Sequence, residues 1–252
     1  MRPAARTDRQ PVIEAKWQPQ PLSLLGWCLT LAAVLFLASS VVTQLLVEAF
    51  GADLRLQDTD AGDADTTALR IGLAVVLGRQ LLLVIGIWLL HARLAKNVPF
   101  PLPATSWWPI ERNVAFWAFG TYAAVIAYST LVSLFDIGWL VPEGTVGEEI
   151  TRDPVTLLLA GLLAVAVAPV SEELLFRGVI FSALSRYGIL LAAFASGLLF
   201  ALPHLDPGSI LPFTLVGAAL AWVYYRHRSL VAAIHFHVLF NAVSYVLLLL
   251  TA

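Results

Sequence analysis

The residues of this sequence best suited to chemistry lie inside apolar segments of its last hundred residues. Glu172 and Glu173 come at the end of a long apolar run, and Arg177 follows four residues after Glu173. Residues four apart are neighbours on a helix, so Glu173 and Arg177 can form an ion pair. Glu172 lies about 100° around the helix from Glu173 and can face a different space. The pattern predicts one carboxylate held by arginine and one left free for catalysis.

Two further apolar segments carry histidine. His204 ends a segment that includes Phe200, and His237 stands four residues before Asn241. This spacing places His237 and Asn241 on one face of a helix. His235 points about 200° away from that face, and a leucine occupies its own i+4 position, so we favour His237 as the site residue. Ionisable side chains inside membrane segments are functional candidates by default.

The composition indicates that these segments lie in a membrane. Of 252 residues, 59% are hydrophobic and 13% are charged, and the mean hydropathy is +0.82. Soluble domains have about 45–50% apolar and about 25% charged residues, so much of this surface must face lipid. A net charge of −2 without a basic stripe does not suggest a nucleic-acid partner, and we expect none. Cys28 is the single cysteine, so it forms neither an intrachain disulfide nor a cysteine metal site, and we expect it to be inert packing.

The apolar stretches predict an all-α, polytopic membrane helix bundle of about seven transmembrane helices. They run over 22–47, 69–90, 114–135, 155–187, 189–204, 212–226 and 229–250. A span needs about 20 helical residues, so the fifth and sixth must extend into their flanks. Pro169 predicts a kink or break in the fourth. Residues 51–67, rich in Asp, Gly and Thr, are predicted to be a flexible external loop.

Basic loops alternate along this path and predict a cytoplasmic N-terminus. We divide the chain into a cytoplasmic N-terminal tail (1–21), accessory transmembrane helices (22–150) and a catalytic transmembrane region (151–252). Trp107, Trp108 and Trp139 are expected at the membrane interfaces. The Ala-, Trp- and Pro-rich sequence favours a multi-pass protein of the bacterial plasma (inner) membrane.

Arg79 lies near the middle of the second apolar stretch and requires an internal acidic partner. Glu48 or one of the paired glutamates is predicted to supply it. A rise of about 1.5 Å per residue places Glu172 and His204 about 21 and 24 Å from their basic turns, and His237 and Asn241 about 12 and 18 Å from theirs. A helix tilt of about 20° absorbs part of the difference, so these groups are predicted to meet inside the bilayer.

Together the three motifs resemble the CPBP family, which includes the CAAX-type prenyl endopeptidases and the bacteriocin-processing or Abi proteins. The family pattern EExxxR matches residues 172–177, FxxxH matches 200–204, and HxxxN matches 237–241. Order and spacing also match over roughly residues 155–250. Residues 1–150 carry no motif that extends the resemblance.

The resemblance implies an intramembrane glutamic endopeptidase without a cofactor, acting on a peptide or membrane-protein substrate in the lipid bilayer. The implied catalytic residues are Glu172, His204, His237 and Asn241. The first two would position and deprotonate the attacking water, and the last two would donate hydrogen bonds to the oxyanion. The implied supporting residues are Glu173, Arg177 and Phe200.

Three other functions remain open at this point. Two histidines and a glutamate are enough ligands for a catalytic zinc ion, although the HExxH spacing is absent. A non-catalytic scaffold or immunity protein of the same fold would also keep these residues. A transporter or proton-coupled channel is less consistent, because the sequence shows no inverted repeats.

Overall fold

The computed structural model describes residues 18–56, 61–99, 112–142, 150–151, 153–204 and 206–251, and these residues form helices and no strand. The main helices of this part of the chain are α1 Leu22–Leu56, α2 Ala61–Leu94, α3 Arg112–Leu134, α4 Pro154–Tyr187, α5 Ile189–Ala201, α6 Pro207–His227 and α7 Leu230–Thr251. Short 3-10 helices occupy Gly138–Leu140 and Leu202–His204.

Six of these helices are long and apolar enough to cross a membrane, and Ile189–His204 is a shorter apolar helix. The predicted all-α bundle of about seven transmembrane helices is therefore confirmed. Large apolar side chains such as Leu37, Phe116 and Leu190 are exposed on the outside of the bundle. Apolar surface of this extent is unfavourable in water and suits contact with hydrocarbon.

The connection between the first two helices differs from the prediction. The sequence predicts a loop over 51–67, which is wrong for most of the segment, because α1 continues to Leu56 and α2 begins at Ala61. Alanine, leucine and arginine favour helices and are frequent on both sides, so the helices extend beyond the apolar stretches.

Several other predictions concern individual residues. Residues 1–17, Trp107 and Trp108 lie outside the described residues. Trp139 is strongly exposed within the 3-10 helix that follows α3, and Cys28 is fully buried in the hydrophobic core. The predicted packing role of Cys28 is consistent with this burial.

Helix α4 changes its hydrogen-bond pattern on both sides of Pro169. Leu162–Val167 and Leu174–Phe181 are π-helical, whereas Ala168–Glu173 between them is α-helical. Proline has no N–H, so the hydrogen bond that residue 169 would donate is missing from the helix. Short π-helical segments occur frequently at functional sites. The helix does not break at Pro169. It changes type on either side of it, and the paired glutamates lie between the two changes.

Asp153 fixes the N-terminus of α4 and connects it to α2. Its carboxylate accepts hydrogen bonds from the Thr156 N–H at 2.7 Å and from the Arg70 guanidinium at 2.8 Å. The bonds from Thr156, and then the one from Arg70, lower the pKa of Asp153 to about 2. Because its folded-state pKa is lowered, this group stabilises the fold above the ordinary carboxyl pKa and loses that effect as the pH falls towards 2.

Two glycines allow α5 and α6 to approach each other closely. A Cβ added at Gly197 would lie 2.5 Å from Thr214 O and 2.8 Å from Ala218 N, and one at Gly217 would lie 2.6 Å from Gly197 Cα. Small residues at such crossings are typical of membrane helix pairs. Gly217 O also accepts a hydrogen bond from Arg177 at 2.9 Å, so the same crossing positions a buried polar group of α4.

We expect Gly197→Ala to lower the free energy of unfolding by about 1–3 kcal/mol, the usual cost of overpacking. The neighbouring atoms are backbone and cannot rotate away. Denaturant unfolding in detergent micelles measures the change. Gly120→Ala in α3 is the matched control, because no atom lies within 4 Å of the added Cβ. Equal loss of stability in both variants would contradict the close crossing.

Candidate active site

A fully buried ion pair within α4 supports the candidate site. Arg177 Nη1 donates to Glu173 Oε1 at 3.0 Å, and both side chains are 0% exposed. Arg177 Nη2 donates to Gly217 O, and its Cζ lies 4.8 Å from the centroid of the Phe200 ring. The predicted i,i+4 pair is therefore present, and it balances two opposite charges inside the protein.

His237 connects α7 to this pair. Its Nδ1 lies 2.8 Å from Glu173 Oε1, so the ring N–H at that position donates to the carboxylate. Its Nε2 lies 3.8 Å from Glu172 Oε2, which is too long for a direct hydrogen bond. His237 thus lies between the buried carboxylate and the accessible one. Helical spacing did not predict the contact between His237 and Glu173, because these residues are 64 positions apart in the sequence.

Glu172 lines a cavity of about 500 Å³. Its side chain is 25% exposed, whereas that of Glu173 is 0% exposed. The polar side chains that line the cavity come from α2, α4, the turn after α5, and α7: Arg79, Gln80, Glu172, His204, His237, Asn241, Ser244 and Tyr245. The structure therefore brings all four residues of the implied catalytic set to one cavity.

Phe200 packs against both imidazole rings of the cavity. Its ring centroid lies 5.6 Å from that of His204 and 5.6 Å from that of His237. The His204 ring also contacts Phe213 of α6, with 4.3 Å between centroids, and its Nδ1 lies 3.3 Å from Ala201 O. Edge-to-face aromatic contacts favour particular ring orientations. Phe200 and Phe213 therefore fix the directions in which the imidazoles face the cavity.

Asn241 is oriented by the main chain of α4. Its Nδ2 donates to Ala164 O at 2.8 Å. The usual donors to that carbonyl are the N–H groups four or five residues later. Ala168 N–H bonds to Leu163 O instead, and Pro169 has no N–H. The Ala164 carbonyl is thereby left for the Asn241 amide, a contact that the sequence motifs missed.

Helix α2, which contains none of the motif residues, adds Arg79 and Gln80 to the cavity wall. Of the acidic partners predicted for Arg79, Glu48 bonds to Gln44 on the exposed surface of α1. Glu172 lines the same cavity as Arg79 and attracts it electrostatically. Glu172, one of the paired glutamates, is therefore the acidic residue that interacts with Arg79. In the sequence, the position of Arg79 near the middle of an apolar stretch was the feature that indicated a role at the site.

The cavity lies mostly within a region shared with a known family. Residues 154–243 match the family model described as Rce1-like, type II CAAX prenyl endopeptidase Rce1-like. Over these residues the chain is similar to this family. The match includes every residue of the implied catalytic and supporting sets, and it confirms the resemblance found in the motifs. No curated protein and no solved structure gives a significant match.

The Rce1-like family is a peptidase family, which supports a peptidase activity for the chain. Together with the six helices long enough to span a bilayer, it supports an integral, multi-pass membrane protein. Arg79 and Gln80 lie outside the Rce1-like residues, so α2 adds to the cavity from a part of the chain that the family model does not include.

The acidic and imidazole groups of the Rce1-like region are not arranged as ligands of one metal ion. Zinc requires three or four donors at about 2.0–2.2 Å from the metal. Among the residues that the structure describes, no group of three or more His, Cys, Asp or Glu side chains meets the geometry for a metal ion.

Proposed function

We propose that the protein is an intramembrane endopeptidase that hydrolyses a peptide bond of a membrane-associated protein or peptide. The observation that carries the proposal is the single cavity lined by a partly exposed glutamate, two histidines and an asparagine. Hydrolysis by water needs a base for the nucleophile and donors for the oxyanion, and these side chains are of those types. The Rce1-like match favours the same class of reaction.

In the proposed reaction, Glu172 is the general base and His204 helps to position the attacking water. The water oxygen bonds to the carbonyl carbon while its proton passes to Glu172. The tetrahedral intermediate then collapses, the carbon–nitrogen bond breaks, and the proton is delivered to the leaving amine. Glu172 suits this role because it lines the cavity, whereas Glu173 is occupied by Arg177 and His237.

Asn241 and His237 are the proposed oxyanion donors. The Asn241 amide group has two hydrogens. One is donated to Ala164 O, and the other remains for the substrate. For His237 the role has a chemical requirement. Its Nδ1–H is directed to Glu173, so Nε2 donates only when the ring is an imidazolium. The hydrogen bond with Glu173 fixes the ring orientation that this role needs, which gives the supporting glutamate a function beyond its pair with Arg177.

The proposed substrates follow from the Rce1-like match and from the membrane location. A prenylated peptide with a C-terminal CAAX sequence is the first substrate to test, and leader peptides of a bacterial plasma membrane are the second. We further propose that residues 151–252 form the catalytic region and that residues 22–150 are accessory, with α2 closing part of the cavity.

His204→Ala is expected to slow cleavage at least about 10²-fold, because without the imidazole the attacking water is no longer held for proton transfer to Glu172. The assay uses purified protein in phospholipid vesicles with an S-farnesylated CAAX peptide. In a second experiment, the membrane proteomes of cells with the wild-type protein and with the variant are compared for a precursor that accumulates. His227→Ala, at the end of α6 and outside the cavity, is the matched control. Wild-type cleavage by His204→Ala would exclude the assignment of His204.

The same assay separates the other functions. Cleavage that continues after treatment with 1,10-phenanthroline favours the glutamate mechanism over zinc, and inhibition favours zinc. A non-catalytic scaffold or immunity protein predicts no cleaved species with either substrate and no accumulating precursor.

A further inference from the structure

Arg79 is a charged group within an apolar helix long enough to span a membrane, and the proposed reaction does not use it. It lies about halfway along the span Thr66–Leu94 of α2, roughly 20 Å from either end at about 1.5 Å per residue. It lines the cavity that contains Glu172. Lipid phosphates lie at the membrane surface, so they are too distant to neutralise a guanidinium at this depth.

The two arginines of the site differ in how their charge is satisfied. Arg177 is fully buried, with Glu173 and Gly217 O as hydrogen-bond partners. Arg79 lies over the Phe36 ring, with 5.4 Å between Cζ and the centroid, and Glu172 attracts it without direct contact. Within the described part of the chain, the Arg79 guanidinium makes neither a hydrogen bond nor an ion pair. Its donors therefore remain available to a molecule in the cavity.

Gln80 places a second donor next to Arg79. Its side chain is buried and lines the same cavity. Its Oε1 accepts a hydrogen bond from Ser171 Oγ at 2.9 Å, so its amide N–H groups remain to donate. A guanidinium binds a carboxylate through two parallel hydrogen bonds, and a neighbouring amide adds a third.

We propose that Arg79, with Gln80, binds a carboxylate of the substrate in the cavity where Glu172 acts. This inference rests on the proposed endopeptidase function and narrows its substrate class. The enzyme would prefer peptides with a carboxylate within a few residues of the cleaved bond. That carboxylate is either the C-terminal α-carboxylate or the side chain of an Asp or Glu.

The test measures binding and not turnover, so it stands apart from the test of the reaction. The full chain carrying His204→Ala is placed in phosphatidylcholine nanodiscs. Three fluorescein-labelled, S-farnesylated CAAX peptides are compared by fluorescence anisotropy: a free acid, its C-terminal amide, and an amide with Glu as the last residue. We expect the free acid or the Glu peptide to bind at least tenfold more tightly than the plain amide.

The preference should disappear with Arg79→Gln, be partly kept with Arg79→Lys, and remain with Arg70→Gln, which removes a guanidinium of α2 outside the cavity. Preference for the free acid identifies an α-carboxylate, and preference for the Glu peptide identifies a side chain. Equal binding of all three peptides, no binding of any, or a preference that survives Arg79→Gln would overturn the proposal.

Failure of this proposal is distinguishable from failure of the proposed function. If wild-type protein cleaves the acid and the amide equally well, the endopeptidase function is supported and carboxylate binding by Arg79 is excluded. If no peptide is cleaved but the carboxylate-containing peptide binds more tightly in an Arg79-dependent way, carboxylate binding is supported and the endopeptidase function is excluded. A role for Arg79 only as a counter-charge to Glu172 would change acid and amide binding equally.

Discussion

Glu172→Gln is expected to reduce the cleavage rate by about 10²–10⁴-fold, the contribution of a general base. Glutamine has nearly the same shape but cannot accept a proton from the attacking water. The Glu172 side chain is 25% exposed in the cavity and is not part of the buried ion pair, so the variant should fold normally. Initial rates in vesicles and the unfolding temperature of the purified variant measure the two effects.

The matched control is Glu48→Gln on α1. Glu48 is exposed and hydrogen-bonds to Gln44 within its own helix, so the same chemical change there should leave the rate unaltered. A Glu172→Gln enzyme that cleaves at the wild-type rate would remove Glu172 from the mechanism. A loss of folded protein would instead assign Glu172 a structural role.

Arg177→Met is expected to lower the free energy of unfolding by about 3–5 kcal/mol, the cost of leaving one charge of a buried pair unpaired. Both partners are fully buried, so water cannot replace the lost guanidinium. Gly217 O would also lose its hydrogen-bond donor, next to the crossing of α5 and α6. Denaturant unfolding in detergent measures the loss. Wild-type stability of Arg177→Met would contradict the buried pair.

A double variant separates the structural from the chemical role of this pair. Replacing both charges by apolar residues of similar size is often neutral for stability. We therefore expect Glu173→Leu/Arg177→Met to recover much of the stability that Arg177→Met loses. Activity should not recover, because His237 Nδ1 would no longer have the Glu173 carboxylate as its partner. Recovery of both properties would show that His237 does not need that contact.

Local periodicity predicts those parts of the molecule that depend on one helix at a time. Apolar length gave the helix count, and spacing gave the Glu173–Arg177 pair and the common face of His237 and Asn241. The long loop over 51–67 was wrong because glycine and aspartate were weighted above the helix formers between them.

Contacts between helices were not predictable in the same way. The hydrogen bond between His237 and Glu173 and the place of Arg79 in the cavity depend on how distant segments pack. A single sequence contains no periodic signal for such packing. The charge of Arg79 in an apolar span indicated that a partner exists, but only the arrangement of α2 against α4 identified Glu172.

The hydrogen bond from Asn241 to Ala164 O depends on the amino acid at position 169 and not on the one at position 164. Every amino acid has a main-chain carbonyl, so residue 164 can change identity and still hold the amide. Any replacement of Pro169, in contrast, introduces an N–H that competes for the same oxygen. Position 164 should therefore tolerate substitution, whereas position 169, five residues later, should not.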